Sequence, residues 1–266
     1  MRRFFSTEFI YQLFALMISI IIVHGMYVGI VRPYADRDLA EQAINMQEDA
    51  EYIANRSIWI VIQDFEQEAC FILMLWAFAI LGYKASNAVN ERKLIDLEML
   101  PDHTGEKITP ESSRVISKAI KELPQSYKRL FLSKLYIAAL DRFAFTSSIQ
   151  DVSSLTNKMC ENENERFDSE LSMIRYIAWA IPSVGFIGTV RGIGEALGQA
   201  HRAVDGDIAG VTQSLGTAFN STFVALLISI VIMFLLHQLQ SLQERLVYEY
   251  SSKVDEDLIN RMQSLD

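Results

Sequence analysis

The chain has 266 residues, of which 50% are hydrophobic and only 5 are proline, and its formal net charge is −9. This composition is more apolar than that of an ordinary soluble domain, and it indicates a membrane protein. The acidic residues are spread between the apolar runs instead of forming one tail, which is typical of solvated faces and excludes nucleic acid as an expected partner.

Four apolar segments are long enough to cross a bilayer, which takes about 20 residues of helix. The first follows Met1-Arg2-Arg3, but its apolar run is longer than that of a signal peptide and no A-x-A cleavage pattern follows it. The second is the shortest and carries Glu66 and Glu68 at its edge, so a partly submerged helix is the alternative to a span there. We predict transmembrane helices at 9–31, 66–84, 173–194 and 213–237.

The distribution of Lys and Arg predicts the orientation, because cationic loops stay in the cytoplasm. Segment 85–172 is rich in both residues, whereas 32–65 has seven acidic residues against three arginines. Both termini are therefore predicted to be cytoplasmic. The remaining segments are a cytoplasmic N-terminus (1–8), an outer or periplasmic segment (32–65), a cytoplasmic helical region (85–172), an outer loop (195–212) and a cytoplasmic C-terminal helix (238–266).

The cytoplasmic segments carry helix signals. Thr109-Pro110-Glu111 is a typical helix start, Pro124 ends that helix, and a second helix is predicted from about Gln125 to Phe145. Apolar residues at near-helical spacing from Ile149 to Ile174 predict that the third span begins as a long helix in the cytoplasm. A stripe after the fourth span predicts a bundled helix: Leu242, Leu246, Tyr250, Val254, Leu258 and Met262. The predicted fold class is all-α, a polytopic membrane protein with about four transmembrane helices and a helical cytoplasmic bundle.

Cysteines and histidines show no pattern of a disulfide framework or a metal site. Cys70 lies in an apolar run and Cys160 in a charged segment. The histidines stand apart from one another and from the cysteines: His24, His103, His201 and His237. We therefore expect no cofactor and no metal.

Spans three and four each present a face of small or hydroxylated residues. On span three this face consists of Pro182, Gly185, Gly188, Thr189 and Gly192, with Val184, Ile187, Val190 and Arg191 on the other side. On span four it consists of Ser214, Ala218, Ser221, Thr222, Ala225 and Ser229. Each feature alone has an ordinary explanation, since small residues pack helices together and a membrane hydroxyl commonly bonds to the preceding turn. Two hydroxylated faces on neighbouring spans also suit an ion path.

Ionisable residues are missing from these two spans. Neither Asp nor Glu lies between Arg175 and Arg191 or between Gln213 and Leu236, and His24 is a lone candidate in span one. A carboxylate that carries protons must then come from another chain. Arg191 and Glu195 have i, i+4 spacing, which favours pairing with each other. Asn220 is a polar residue on the bulky apolar face of span four. A contact between subunits or a position near the outer membrane interface would account for it.

The run Ile181-Pro-Ser-Val-Gly-Phe-Ile-Gly-Thr-Val-Arg-Gly-Ile193 resembles the P-x-x-G-x-x-G-T-V-x-G-[IM] signature of the MotA/TolQ/ExbB proton channel family. Ala218-Phe-Asn-Ser-Thr-Phe-Val-Ala225 is similar to the following span of that family, with Thr222 at its threonine position. The resemblance covers roughly 66–240, and the extra first span points towards the four-span MotA plan.

The resemblance implies a pentamer in the bacterial inner membrane around two copies of a single-span partner of the MotB/TolR/ExbD type, whose membrane Asp accepts H⁺ or Na⁺. Ion flow through such a complex drives rotation, which makes the chain the stator-like channel subunit of a motor. Thr189 and Thr222, with the adjacent Ser221, are the predicted ion-pathway residues. The predicted pore-packing residues are Pro182, Gly185, Gly188, Gly192, Ala218 and Ala225.

Three other classes of function compete with this prediction. A structural scaffold would use the small faces only for packing. A secondary transporter is disfavoured because the sequence shows neither an inverted repeat nor a broken helix pair. An enzyme is disfavoured because no nucleophile, base and orienting group occur together in a readable motif. We therefore predict a non-enzymatic protein.

Overall fold

A computed structural model describes residues 7–48, 57–93, 95, 107–128, 130–206 and 208–263. His103 lies outside the described residues, as does most of the predicted N-terminal segment. The same holds for parts of the predicted outer segment (49–56), cytoplasmic region (94, 96–106 and 129), outer loop (207) and C-terminal helix (264–266).

The described chain is built from helices, which confirms the all-α prediction. In order, they are α1 (Thr7–Met26), a π-helical segment (Tyr27–Val31), α2 (Arg32–Glu48), α3 (Ile58–Ile62), α4 (Phe65–Lys93), α5 (Pro110–Glu122), α6 (Gln125–Lys128), α7 (Phe131–Thr146), α8 (Ile149–Glu170), α9 (Ser172–Gly198), α10 (Ala200–Val204), α11 (Ala209–Asp257) and a 3₁₀ turn (Ile259–Arg261).

Four helical stretches of the described residues are long and apolar enough to cross a membrane, as predicted. They are Glu8–Met46, Phe65–Lys93, Ile149–Gly198 and Ala209–Arg261. Each contains one of the predicted spans and extends beyond it, because helical hydrogen bonding continues after the hydrophobic run ends. The chain forms two compact units, the first from Met1–Gly82 and Met173–Leu236 and the second from Tyr83–Ser172 and His237–Asp266.

In the first unit, every fourth residue of the first span is buried. This stripe packs against α4 and its neighbours, where Val23, Tyr27 and Val31 contact Phe71 and Leu75 among others. Polar tips also join the two helices: the Tyr11 hydroxyl donates to the Ala79 carbonyl at 3.0 Å, and Trp76 Nε1 donates to the Gln12 carbonyl at 2.9 Å. The opposite face of the first span is apolar and exposed, as suits contact with lipid. The stripe consists of Ala15, Ser19, Val23, Tyr27, Val31 and Ala35.

The second unit has its own apolar core, formed by α5, α7, α8 and the C-terminal part of α11. Helix α5 begins as predicted: the Thr109 hydroxyl accepts from the Ser112 amide and Pro110 occupies the first helical position. The C-terminal stripe is also confirmed, because Leu246, Tyr250, Val254, Leu258 and Met262 are buried in the core and Leu242 packs against it.

Two predicted helices of this unit are interrupted. The helix predicted from Gln125 to Phe145 consists of α6 and α7, because Leu130 has an extended backbone with ψ 142°. The long helix that leads into the third span is interrupted at Leu171, between α8 and α9. The Leu171 amide is 3.2 Å from both the Phe167 and the Asp168 carbonyls. The second contact is the tighter i→i+3 bond of a 3₁₀ turn. Leu171 is fully buried, so the turn is held by packing.

Candidate functional site

Helices α9 and α11 meet through their small faces, with backbones running in opposite directions. Gly185, Gly188 and Gly192 are all buried at this contact. A Cβ added at Gly188 would lie 2.6 Å from both Cβ and Oγ of Ser221, and one added at Gly192 would lie 2.7 Å from the Ser214 carbonyl. Such approaches are shorter than real Cβ contacts, so glycine is required for the helices to come this close.

The other predicted packing residues lie at the same contact. Ala218 and Ala225 are fully buried, and a Cβ on Gly192 or Gly185 would collide with one or the other. Pro182 is half-buried inside α9, where it lacks the amide that would bond to the carbonyl of Ala178. Ser229 of α11 donates its hydroxyl to that carbonyl at 3.0 Å. The hydroxyl thus satisfies a backbone group that would otherwise be costly in hydrocarbon.

The structure brings the two predicted pore threonines together. The hydroxyls of Thr189 and Thr222 are hydrogen-bonded to each other across the helix pair. Thr189 Oγ1 is also 3.0 Å from the Ala218 carbonyl, and Thr222 Oγ1 is 3.2 Å from the Gly185 carbonyl. Both threonines are half-buried. The third predicted residue, Ser221, is buried against Gly188 and donates to the Thr217 carbonyl at 3.0 Å.

This hydroxyl pair has unused accepting capacity. Each hydroxyl has one hydrogen and two lone pairs. One hydrogen is used within the pair and the other reaches a carbonyl, so lone pairs remain on the two oxygens. They can accept from a protonated carboxyl group or coordinate a small hard cation.

Arg191 has a second partner that sequence reasoning missed. The predicted pair with Glu195 is confirmed at 2.9 Å. In addition, Nε and Nη2 of Arg191 hold the two carboxylate oxygens of Glu66 at 2.8 and 2.9 Å. Glu66 belongs to the first turn of α4 and its side chain is 11% exposed, so this bidentate pair is far better shielded than the pair with Glu195. In the sequence, the indication of this pair was Glu66, an acidic residue at the edge of the second span.

His24, the lone ionisable candidate within span one, has a partner from outside that span. Its Nδ1 is 2.7 Å from Oε1 of Glu68, and Nη2 of Arg32 is 2.5 Å from Oε2 of the same carboxylate. The Glu68 side chain is 8% exposed. The signal was again present, because Arg32 ends one span and Glu68 begins the next, and antiparallel neighbours bring such ends together.

Two further positions complete the site. Asn220 is half-buried and lines a cavity of about 300 Å³ with Phe219, Phe223 and Val61, the last from the segment before α4. Asp64 precedes α4 and lies 3.6 Å from Arg191, yet burial raises its pKa above the ordinary value for an aspartate. Glycine contacts, paired hydroxyls and shielded ion pairs thus occupy one bundle of spans.

Fold and site together define a multi-pass, all-α membrane protein whose third and fourth spans pack through glycine and hydroxyl faces. Residues 126–252, just under half of the chain, match the model of the MotA/TolQ/ExbB proton channel family. The matched region begins later than the predicted resemblance over 66–240, but it contains both spans that carry the motif. No curated protein and no solved structure matches the chain. The matched family consists of membrane proteins of the proton-channel type.

Proposed function

We propose that this protein is the channel-forming subunit of a membrane motor driven by H⁺ or, alternatively, by Na⁺. The observation that carries the proposal is the hydroxyl pair of Thr189 and Thr222, which joins the two spans bearing the family motif. Lone pairs on two adjacent hydroxyls offer a relay point for a proton or ligands for a small cation.

The proposal includes a partner that supplies the titrating group. Spans three and four contain no carboxylate within their apolar runs, and the nearest acids are held in ion pairs with Arg191. A single-span protein of the MotB/TolR/ExbD type would place its membrane Asp against the hydroxyl pair. Five copies of this chain around two of the partner form the complex that we propose.

The exposed faces of α9 and α11 support assembly in a membrane. They carry large apolar side chains that would be unfavourable in water, among them Phe186, Ile187, Val190, Phe219, Phe223 and Leu227. These faces are available for lipid and for neighbouring copies. The family match supports the bacterial inner membrane, and the distribution of Lys and Arg supports both termini in the cytoplasm. Ion flow then turns one part of the complex against the other and converts ion-motive force into mechanical work.

The first test is the mass of the intact complex, measured by native mass spectrometry on the chain expressed alone and with a neighbouring single-span protein. We expect five copies, joined by two of the partner. Ion flux is then measured in proteoliposomes for Thr189→Val and Thr222→Val, which keep nearly the same volume but remove the hydroxyl. Flux should fall at least tenfold while the complex still assembles.

Ser183→Ala is the matched control. It removes a hydroxyl from the exposed face of α9, where Ser183 donates to the Trp179 carbonyl of its own helix. Its flux should equal that of the wild type. A stable monomer or dimer, or full flux in both threonine variants, would remove the motor proposal.

One observation favours the structural scaffold as the second candidate. The hydroxyls of Thr189, Ser221 and Thr222 all find acceptors within the chain, so none requires an ion to be satisfied. A scaffold would tolerate Thr→Val and show no flux, but it would fail to assemble when Gly185 or Gly188 is replaced by a bulky residue.

A further inference from the structure

Unpartnered polar atoms concentrate near the start of α4. In the part of the chain that the structure describes, five buried side-chain oxygens have no hydrogen-bond partner, and three of them are Tyr27 Oη, Asp64 Oδ2 and Gln67 Oε1. Tyr27 and Gln67 are fully buried. Buried polar groups nearly always have a partner, and ordered water or an ion commonly provides it.

These three residues, which we call the Asp64 cluster, lie at or pack against the first turns of α4. Asp64 and Gln67 are separated by three positions where α4 begins, and the Asp64 carbonyl accepts from the Glu68 amide at 3.1 Å. Tyr27 packs against the same segment, since its ring centroid is 6.3 Å from that of Phe71 in α4 and Ile62 belongs to the same apolar cluster. Its ring is 5.8 Å from Cζ of Arg32, measured to the centroid.

The backbone at Tyr27 is unusual in a way that fits a site. Tyr27 opens the π-helical segment, and both it and Val31 point into the protein. Short π-helical segments within α-helices frequently occur at functional sites. The Tyr27 side chain at this turn packs in a cluster with Ile62, just before α4, and Phe71, in its second turn.

The surrounding charge favours a cation. The groups around the Asp64 cluster are the carboxylates of Glu66, Glu68 and Glu195, the guanidinium groups of Arg32 and Arg191, and the imidazole of His24. With Asp64, four carboxylates face two guanidinium groups, so the net charge is −2 when His24 is neutral and −1 when it is protonated. A monovalent cation would balance all or part of this net negative charge.

The donor atoms agree with that choice. A phenol, a carboxylate and an amide carbonyl present only oxygen, which hard cations prefer over nitrogen and sulfur. Glu68 is already held by His24 and Arg32, whereas Oδ2 of Asp64 is unbonded. Asp64 is therefore the charged member of the cluster that is open to a ligand.

We propose that Tyr27, Asp64 and Gln67 form a second cation site, separate from the Thr189–Thr222 pair and supplied by this chain alone, that holds a hydrated Na⁺ or a proton. Its role in transport rests on the proposed function: it would receive the cation from the outer side before the hydroxyl pair does. Binding itself needs neither partner nor flux.

Thermal unfolding of the full chain in detergent tests the site without measuring transport. Tm is measured in NaCl and in choline chloride at equal ionic strength, at pH 8 and pH 6. If the ligand is sodium, saturating Na⁺ should raise Tm by about 2 °C or more at pH 8. If it is a proton, the shift to pH 6 should raise Tm in choline chloride. Asp64→Asn should abolish the response to Na⁺, or make the rise at pH 6 smaller than that of the wild type.

Two variants separate this site from a merely structural carboxylate. Glu195→Gln removes an acid that shares Arg191 but leaves the three oxygens intact, and it should keep the response. Tyr27→Phe keeps the ring and removes only the unpartnered hydroxyl. If that oxygen binds a hydrated cation, the substitution should reduce the Tm rise at least by half.

The opposite result for Tyr27→Phe would overturn the proposal. Removing a hydroxyl that truly lacks a partner relieves a desolvation cost and raises Tm in every buffer. Equal Tm responses in wild type and Asp64→Asn would overturn it as well. Because neither result depends on flux or on a partner protein, both leave the test of the channel unaffected.

Discussion

Ser229 of α11 donates its hydroxyl to the carbonyl of Ala178 in α9, the carbonyl that Pro182 leaves without an amide donor. The proline of the family motif and a serine 47 positions later are therefore two halves of one arrangement. Proline loosens the backbone of one span, and the neighbouring span supplies the missing hydrogen bond.

Removing this hydroxyl should destabilise the helix pair. We expect Ser229→Ala to lower the free energy of unfolding by about 1 kcal/mol, because the Ala178 carbonyl then lacks a donor. Thermal unfolding in detergent measures the loss. Ser183→Ala is the control and should change little, since the carbonyl that Ser183 contacts keeps its own helical amide. Equal stabilities of the two variants would contradict the assignment.

Gly192 should not tolerate even a methyl group. Its added Cβ would lie 2.7 to 2.9 Å from the Ser214 carbonyl, Ala218 Cβ and the Ala218 amide, and two of these are backbone atoms that cannot turn aside. Gly192→Ala should therefore cost about 1–3 kcal/mol by forcing the helices apart. Complex assembly and Tm report the effect.

Gly194 provides the matched comparison on the same helix. Nothing lies within 4 Å of a Cβ added there. Gly194→Ala should be neutral or stabilising by up to about 1 kcal/mol, because alanine favours the helix over glycine. If both alanine variants behave alike, the close approach at Gly192 is not what holds the pair.

The two partners of Arg191 should differ in energetic weight. Glu66→Gln breaks a shielded bidentate pair and should cost about 1–3 kcal/mol. Glu195 is 46% exposed, and Glu195→Gln should cost only about 0.3–0.5 kcal/mol. Chemical or thermal unfolding of both variants at low and moderate salt measures the difference. A larger loss for Glu195→Gln would reverse our ranking of the pairs.

Glu163 in the second unit should make stability depend on pH. Burial raises the pKa of its carboxyl group, and this outweighs the opposite effect of Arg166 at 2.6 Å, whose side chain is half exposed. A raised pKa in the folded state means that this group favours folding most below its unfolded pKa. That contribution is lost as pH rises through the folded pKa.

Glu163→Gln should accordingly raise Tm at pH 8 and flatten the decline of Tm between acidic and neutral pH. Tm is measured across this range for wild type, Glu163→Gln and Glu165→Gln, the last being an exposed acid on the same helix. The Glu165 variant should follow the wild-type curve. A lower Tm for Glu163→Gln at pH 8 would show that the ion pair with Arg166 dominates.

Patterns within one segment predicted most of this architecture. The four spans, the start at Thr109 and the C-terminal stripe each depend on local periodicity or capping. The glycine and hydroxyl faces of spans three and four could also be predicted to meet, because a small face on one membrane helix needs another to pack against. Thr189 and Thr222 were identified by these faces and by the motif together.

Contacts between distant segments were harder to predict. The pairs Glu66–Arg191 and Glu68–His24 join residues 125 and 44 positions apart, and no periodicity links them. The break at Leu171 has a similar cause, since it occurs at an ordinary leucine held by burial in the core. What the sequence left undetermined was which span lies next to which.

The buried stripe of the first span places unequal limits on how this helix can evolve. Its buried residues recur at every fourth position from Ala15 to Ala35, and most of the hydrophobic side chains between them are exposed. Exchanging one outward hydrophobic residue for another leaves the contacts with α4 intact. Adding or deleting a single residue turns everything downstream by about 100° and misaligns the stripe. This helix can therefore accept substitutions at its exposed positions, whereas insertions and deletions would disrupt its packing.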